Sequence, residues 1–277
     1  MTVRKSTTKR RAASRDLAGH DGFSLISNQQ LLMFFKGMLQ CEALEKGARK
    51  LAPERRFPRA NGDLYAPAVA CAYDLKREDT LVAAGGSTVF AWMKKLSLQK
   101  TLTQQASQRL IQPAKAQATA VVRTAVQTAL QDREAGRDAL VVAFAEADAD
   151  EPKVAEALTT AIREKLPILF VFLPGKTASD KGKSKLPVFP RIPTDIEDAV
   201  ALYRVASESM QRIRRGNGPA LIEGVRFTDP ALKASGPIAK MEAYLRRKNL
   251  WKDSLRTRTQ ESFAKRIEAA ASRAKSA

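Results

Sequence analysis

Apolar residues recur along this chain at two spacings, and the alternation between them predicts its architecture. Leu31, Leu32, Phe35, Met38 and Leu39 fall at helical intervals, so a helix is expected through 29–51, capped by Ser27 and Asn28. The polar, proline-bearing stretch 52–63 reads as a loop, and the small-residue segment YAPAVACAYDL (65–75) as a second helix. A short strand, TLVAAGG (80–86), ends in a glycine pair. The alanine-rich segment 113–132 is expected as a helix with Pro113 in its first turn, where the missing N–H has no partner to lose. RDALVVAFAEAD (137–148) and LPILFVFLPG (166–175) read as fully buried strands, with a helix over 151–165 between them. A long helix is expected over 194–215, with acids at its start, arginines near its end and Gly216 at its stop. PALIEGVRF (219–227) is a further strand, and PIAKMEAYLRRKNLW (237–251) opens a helical C-terminal extension.

Strands without period-2 alternation, separated by helices, predict a mostly parallel sheet covered on both faces. The fold class is therefore α/β, a doubly wound sheet with helices on both faces and a helical extension. Residues 1–21 read as a basic disordered arm and 22–277 as one α/β domain. No internal repeat is visible.

Composition narrows the function classes. With 44% hydrophobic and 28% charged residues in 277, the chain has the make-up of a globular protein, which excludes wholesale disorder. Its longest apolar run, Leu166–Leu173, suits a buried strand and falls short of the ~20 residues of a bilayer span. The basic start has no apolar h-region and no apolar face of the transit-peptide kind, so a cytoplasmic setting is expected. Two cysteines, Cys41 and Cys71, form no disulfide or metal pattern and read as core residues. The single histidine, His20, lies in the arm, which removes most zinc sites and histidine-based triads. Ser87 and Ser184 accordingly lack a base. LPGKT (173–177) is not a P-loop, because Phe170 stands where the first glycine belongs. Trp92 and Trp251 read as packing anchors.

Charge adds one alternative. Lys+Arg 48 against Asp+Glu 29 gives a net +19, concentrated in VRKSTTKRRAASR (3–15), KGKSK (181–185) and the segment Lys240 to Lys275. These read as a solvated tail, a loop and a basic amphipathic helix. The alternative is a docking surface for an acidic protein or a polyanion, with Lys5, Lys9, Arg10, Arg11 and the C-terminal bases in contact. Aromatics are only 6%, so stacking platforms are scarce.

The segments 139–172, 196–227 and 237–251, taken in order, resemble the alpha subunit of the thiamine-diphosphate-dependent dehydrogenase component of 2-oxo acid dehydrogenase complexes. EALTTAIREKLPILFV (156–171) and RGNGPALIE (215–223) carry the resemblance, and the opening helix and LKREDTLVAA (75–84) are similar to that subunit's N-terminal part. The resemblance implies a diphosphate held through Mg²⁺, with a beta subunit completing the site. In that family an Asp follows one strand and an Asn the next, supplying the oxygen ligands a hard cation requires.

Here the matching positions read Glu146-Ala147-Asp148 and Leu173-Pro174-Gly175, without the Asp at Ala147 and without the Asn. The family's phosphate-gripping Tyr-Arg pair and nearby His fall at Gly85-Gly86-Ser87-Thr88. The chain between Phe90 and Leu110 is too short for the family's Gly-Gly-Ser-Met-His loop, and TDPALKASG (228–236) replaces a His-bearing loop between Phe227 and Pro237.

These losses point to a degenerate homologue, a structural or regulatory subunit with no assigned catalytic, cofactor-binding or metal-ligating residue. Its expected partner is a beta-subunit-like protein or a second copy, met by the apolar first helix and helix 194–215. An active decarboxylating subunit is the alternative, with Glu146 and Asp148 as metal candidates. The acidic run Glu146, Asp148, Asp150 and Glu151 would form such a substitute cation site, though it equally suits a helix N-terminus.

Overall fold

A computed structural model describes residues 26–51, 64–84, 87–103, 107, 109–113, 117–146, 152–174, 187–227 and 236–275. The arm at 1–21, with His20, and the loop at 52–63 lie outside the described residues, as do Gly85, Gly86, Ala147–Glu151, Gly175, Ser184 and the segment 228–235.

Helix α1 (Asn28–Leu51) starts where Ser27 and Gln30 cap it reciprocally. The Ser27 amide donates to Gln30 Oε1 at 2.9 Å, and the Gln30 amide donates to Ser27 Oγ at 3.2 Å. Helix α2 (Tyr65–Ala72) is buried at every position, its small side chains letting it lie between α1 and the sheet-covering helices. Strand β1 (Thr80–Ala83) leads into the short helices α3 (Ser87–Met93) and α4 (Leu98–Leu102) and the two-residue strand β2 (Leu110–Ile111). Then come α5 (Ala118–Glu134), β3 (Val141–Glu146), α6 (Pro152–Arg163) and β4 (Ile168–Leu173). Strand β5 (Arg191–Asp195), α7 (Ala199–Arg214), β6 (Ala220–Val225), α8 (Pro237–Arg247) and α9 (Ser254–Lys275) complete the order.

The six strands form one parallel sheet in the order β2-β1-β3-β4-β6-β5. The fold class is the one the sequence predicts. Alternate residues of each strand enter different apolar clusters, which explains the unbroken apolar runs. Leu81, Val142, Phe144, Leu169, Val171 and Ile222 face α1, α2, α3, α7 and α8. Val82, Val141, Ala143, Phe170, Phe172 and Leu221 face α5 and α6. A third cluster joins the distal half of α1 to α4 and α9 through Leu44, Ala48, Leu102, Phe263 and Ile267.

Three expectations need correction. The helix placed over 113–132 begins only at Ala118; Gln117 is extended, with φ −76° and ψ 143°, and Pro113 lies before the helix. The helix starts where its buried stripe of Ala118, Val121, Val122 and Ala125 starts. The helix placed over 194–215 begins at Ala199, because Thr194 and Asp195 pair with Gly224 and Val225 as the end of β5. Asp198 sets the new start, its Oδ1 accepting the amides of Val200 at 2.9 Å and Ala201 at 3.0 Å. Finally, the apolar faces expected to meet a partner are covered by this chain's own core. Leu31, Phe34, Phe35, Met38 and Leu39 of α1 are at most 1% exposed, and Leu202, Ala206, Met210 and Ile213 of α7 are buried beside α2. Among the described residues no helix is long and apolar enough to cross a membrane.

Candidate functional site at the strand ends

From β1 the chain crosses to β2 on one side, and from β3 to β4 on the other. Parallel sheets bind ligands outside the carboxyl ends of the strands at such a reversal, here between β1 and β3. The described residues there are Ala83 ending β1 and Ala84 after it, Glu146 ending β3, Leu173 ending β4 and Pro174 after it, and Val225 ending β6 with Arg226 and Phe227 after it.

Their chemistry is mostly hydrocarbon. Phe90 of α3 packs on Phe144 of β3, ring centroids 4.6 Å apart, and both are at most 3% exposed. Thr88, in the segment matched to the phosphate-gripping residues, is buried. Leu173 packs against the core formed with α7. Pro174 leans on β6: a Cβ built on Gly224 stands 3.2 Å from Pro174 Cδ, 2.9 Å from Ile196 Cδ1 and 2.7 Å from the Phe172 carbonyl oxygen. Glu146 is exposed, the one carboxylate among the described residues at the end of β3.

Mg²⁺ and a diphosphate need several hard oxygen ligands and close backbone donors. Proline offers no N–H at the end of β4, and its ring lies beside Gly224 of β6. Of the described residues at these strand ends, Glu146 alone carries a carboxylate. Among the described residues no three of His, Cys, Asp and Glu form a group able to hold a metal ion. Ala147, Asp148, Asp150 and Glu151 fall outside the described residues, so only Glu146 of that acidic run has a place.

Two ionic clusters escaped the sequence reading. At the amino ends of the strands, Asp79 is completely buried. Its Oδ1 accepts the Leu140 amide at 2.9 Å, its Oδ2 accepts the Lys76 amide at 2.7 Å, and Arg214 of α7 pairs with it. Beside it Arg109 Nη1 donates to Thr80 Oγ1 at 3.1 Å and to Asp132 at 3.0 Å, while Arg137 Nε donates to Asp132 Oδ1 at 2.7 Å. Lys94 Nζ donates to the Asp79 carbonyl at 2.6 Å, and burial pulls its ammonium below the ordinary lysine value. At the far edge, Lys240 of α8 bridges Asp195 at 2.8 Å and Glu197 at 3.0 Å and donates to the Phe227 carbonyl at 2.9 Å. Burial works against its charge, but the hydrogen bonds and charges of Asp195 and Glu197 prevail and raise its pKa. Apart from Asp132 with Arg137 and Lys76 with Asp79, these partners lie far apart in sequence, so no local motif could have announced the clusters.

The other candidates are structural. Cys41 and Cys71 are fully buried, and burial pushes both thiols up, Cys71 to about 12. Trp92 Nε1 donates to Gln40 Oε1 at 3.3 Å and its ring packs on Phe263, while Trp251 packs on Phe35. Both tryptophans are packing anchors, as expected. Two surface grooves lie away from the strand ends, one of about 240 Å³ between α5 and α6 and one of about 290 Å³ between α1 and α9.

No family model matches this chain, and no curated protein does. Among solved structures it is similar to an X-ray structure titled as a "putative thiamin diphosphate-dependent enzyme" from Mycobacterium smegmatis, with 19% identity and a TM-score of 0.42. The match covers 58% of this chain and 31% of that one, so the chain spans about a third of that protein's length.

Proposed function

We propose that this protein is a non-catalytic subunit built on the frame of a thiamine-diphosphate-dependent dehydrogenase alpha subunit, in which the cofactor's place has been given over to packing. The observation that carries the reading is Pro174, whose ring lies beside Gly224 at the end of β4. It stands where the resembling family places its cation-binding Asn, and it substitutes hydrocarbon for an oxygen ligand. The Phe90–Phe144 stack beside β1 and β3 supports the same reading. A subunit of this kind acts by holding a partner, either a beta-subunit-like protein or a second copy of itself.

Calorimetric titration of the full chain, with any co-purifying subunit, using thiamine diphosphate and Mg²⁺ tests this. The expected result is no saturable heat at millimolar ligand. Saturable binding near micromolar Kd, about −8 kcal/mol, overturns the reading in favour of an active decarboxylating subunit. Glu146 and Asp148 would then be the metal candidates, and their joint substitution should abolish Mg²⁺-dependent turnover.

A further inference from the structure

Exposed cations gather at the corner where α8 turns into α9. Arg247, Lys248, Lys252, Arg256 and Arg258 are all exposed there. Nearby acids answer only part of this charge. Glu242 takes Arg246 at 2.9 Å and Arg256 at 3.5 Å, and Asp253 lies 4.0 Å from Arg246. Among the described residues Lys248, Lys252 and Arg258 have no acidic partner.

The corner is a fixed shape. Asn249 takes the left-handed conformation, φ 55°, that ends α8, and the Leu250 amide donates back to the Leu245 carbonyl at 2.9 Å. Arg246 lies over the Trp251 ring at 4.5 Å, and Trp251 in turn packs on Phe35 at 5.3 Å. The cations on this corner are not explained by the helices. Arg246 and Arg247 suit the end of α8, but Arg256 and Arg258 stand in the opening turns of α9, whose first turn holds no acid. There the helix dipole opposes positive charge.

We infer that this corner binds the phosphate backbone of duplex nucleic acid without reading sequence. Backbone binding asks only for a row of unneutralised cations at fixed positions, which the corner supplies. Single strands are disfavoured because Arg246 and Arg247 lie over the rings of Trp251 and Tyr244, the aromatic side chains at this corner. Stable bilayer anchoring and stable protein interfaces draw on exposed apolar side chains as well as on charge. The exposed large apolar residues described, Met33, Val188 and Phe227, all lie on other elements. The inference is independent of the cofactor reading, and the two experiments fail separately.

The test is fluorescence anisotropy of the full chain with a labelled mixed-sequence duplex of about 20 base pairs, titrated between about 50 and 200 mM salt. The wild-type affinity should fall linearly on logarithmic axes. Lys248→Gln, Lys252→Gln and Arg258→Gln should each reduce the salt slope by about one, and together weaken binding at least about tenfold at low salt. Single substitutions at exposed positions keep the test readable if the triple variant folds poorly. Three outcomes overturn the inference: wild-type affinity and slope in variants that melt as wild type, a salt-insensitive interaction, or binding of poly-glutamate or anionic vesicles in preference to duplex. Complete loss of binding on neutralising Lys5, Lys9, Arg10 and Arg11, with the corner variants unaffected, also overturns it.

Discussion

Arg214, closing α7, pairs with Asp79 at the entry to β1, 135 residues earlier in the chain. Asp79 also accepts the amide of Leu140 at the entry to β3, so one carboxylate ties two adjacent strands and a covering helix together. This is a structural role at the amino ends of the strands, opposite the edge where such sheets bind ligands.

Removing one side of that pair leaves a charge without its partner. Arg214→Ala should destabilise the fold by about 3 kcal/mol, because the fully buried Asp79 carboxylate keeps only its backbone donors. Urea denaturation checks this: the midpoint should fall while the slope m stays constant.

Two glycines give opposite expectations for one added methyl group. At Gly224 a Cβ meets the Phe172 carbonyl at 2.7 Å, a backbone atom that cannot step aside, so Gly224→Ala should cost about 1–3 kcal/mol. At Gly47 the obstacle is Ile267 Cγ2 at 2.9 Å, a methyl fixed to a branched β-carbon, so α9 must give slightly. Helix propensity there favours Ala by about 1 kcal/mol, so Gly47→Ala should be near neutral. Equal losses of Tm in the two variants would contradict the packing described at the end of β4.

The thiols should be silent in the native protein. Burial raises both, Cys71 to about 12, so neither is ionised at pH 8 or open to reagent. Ellman's reagent should find no thiol before denaturation and two afterwards. Rapid native labelling would show that the interior beneath α1 and α2 opens readily.

Lys240 should give the stability curve an alkaline edge. Its native pKa lies above the ordinary 10.5, so its contribution is fully present below that pH and is lost as pH rises through the native value. The stability gap between wild type and Lys240→Met should be constant near neutrality and shrink above about pH 10.5. Chemical denaturation across that range measures it.

The parts of the fold legible in the sequence are those whose pattern reports burial directly. The Ser27–Gln30 cap, the stripe of α1 and the apolar runs of β3 and β4 could each be read locally. Strands β2 and β5 could not. The first is two residues long, and the second, RIPTD, holds Pro193 and half-exposed positions, its last two residues reading as the acidic start of the following helix. Both are edge strands, where proline is tolerated because one side of the strand makes no ladder bonds. At the candidate site, the positions of the missing ligands were visible through the resemblance. That Pro174 lies beside Gly224 was not, because they come from segments 50 residues apart in number.

The seating of α9 on α1 has a consequence for biogenesis. Gln260 Nε2 donates to Glu42 Oε2 across 218 residues of chain, and Ile267 lies against Gly47. Emerging from the ribosome, α1 therefore waits with Leu44 and Ala48 uncovered through the synthesis of the whole sheet. Until α9 emerges, that flank is a natural chaperone client, and translation arrested short of Phe263 should yield a chain prone to aggregation.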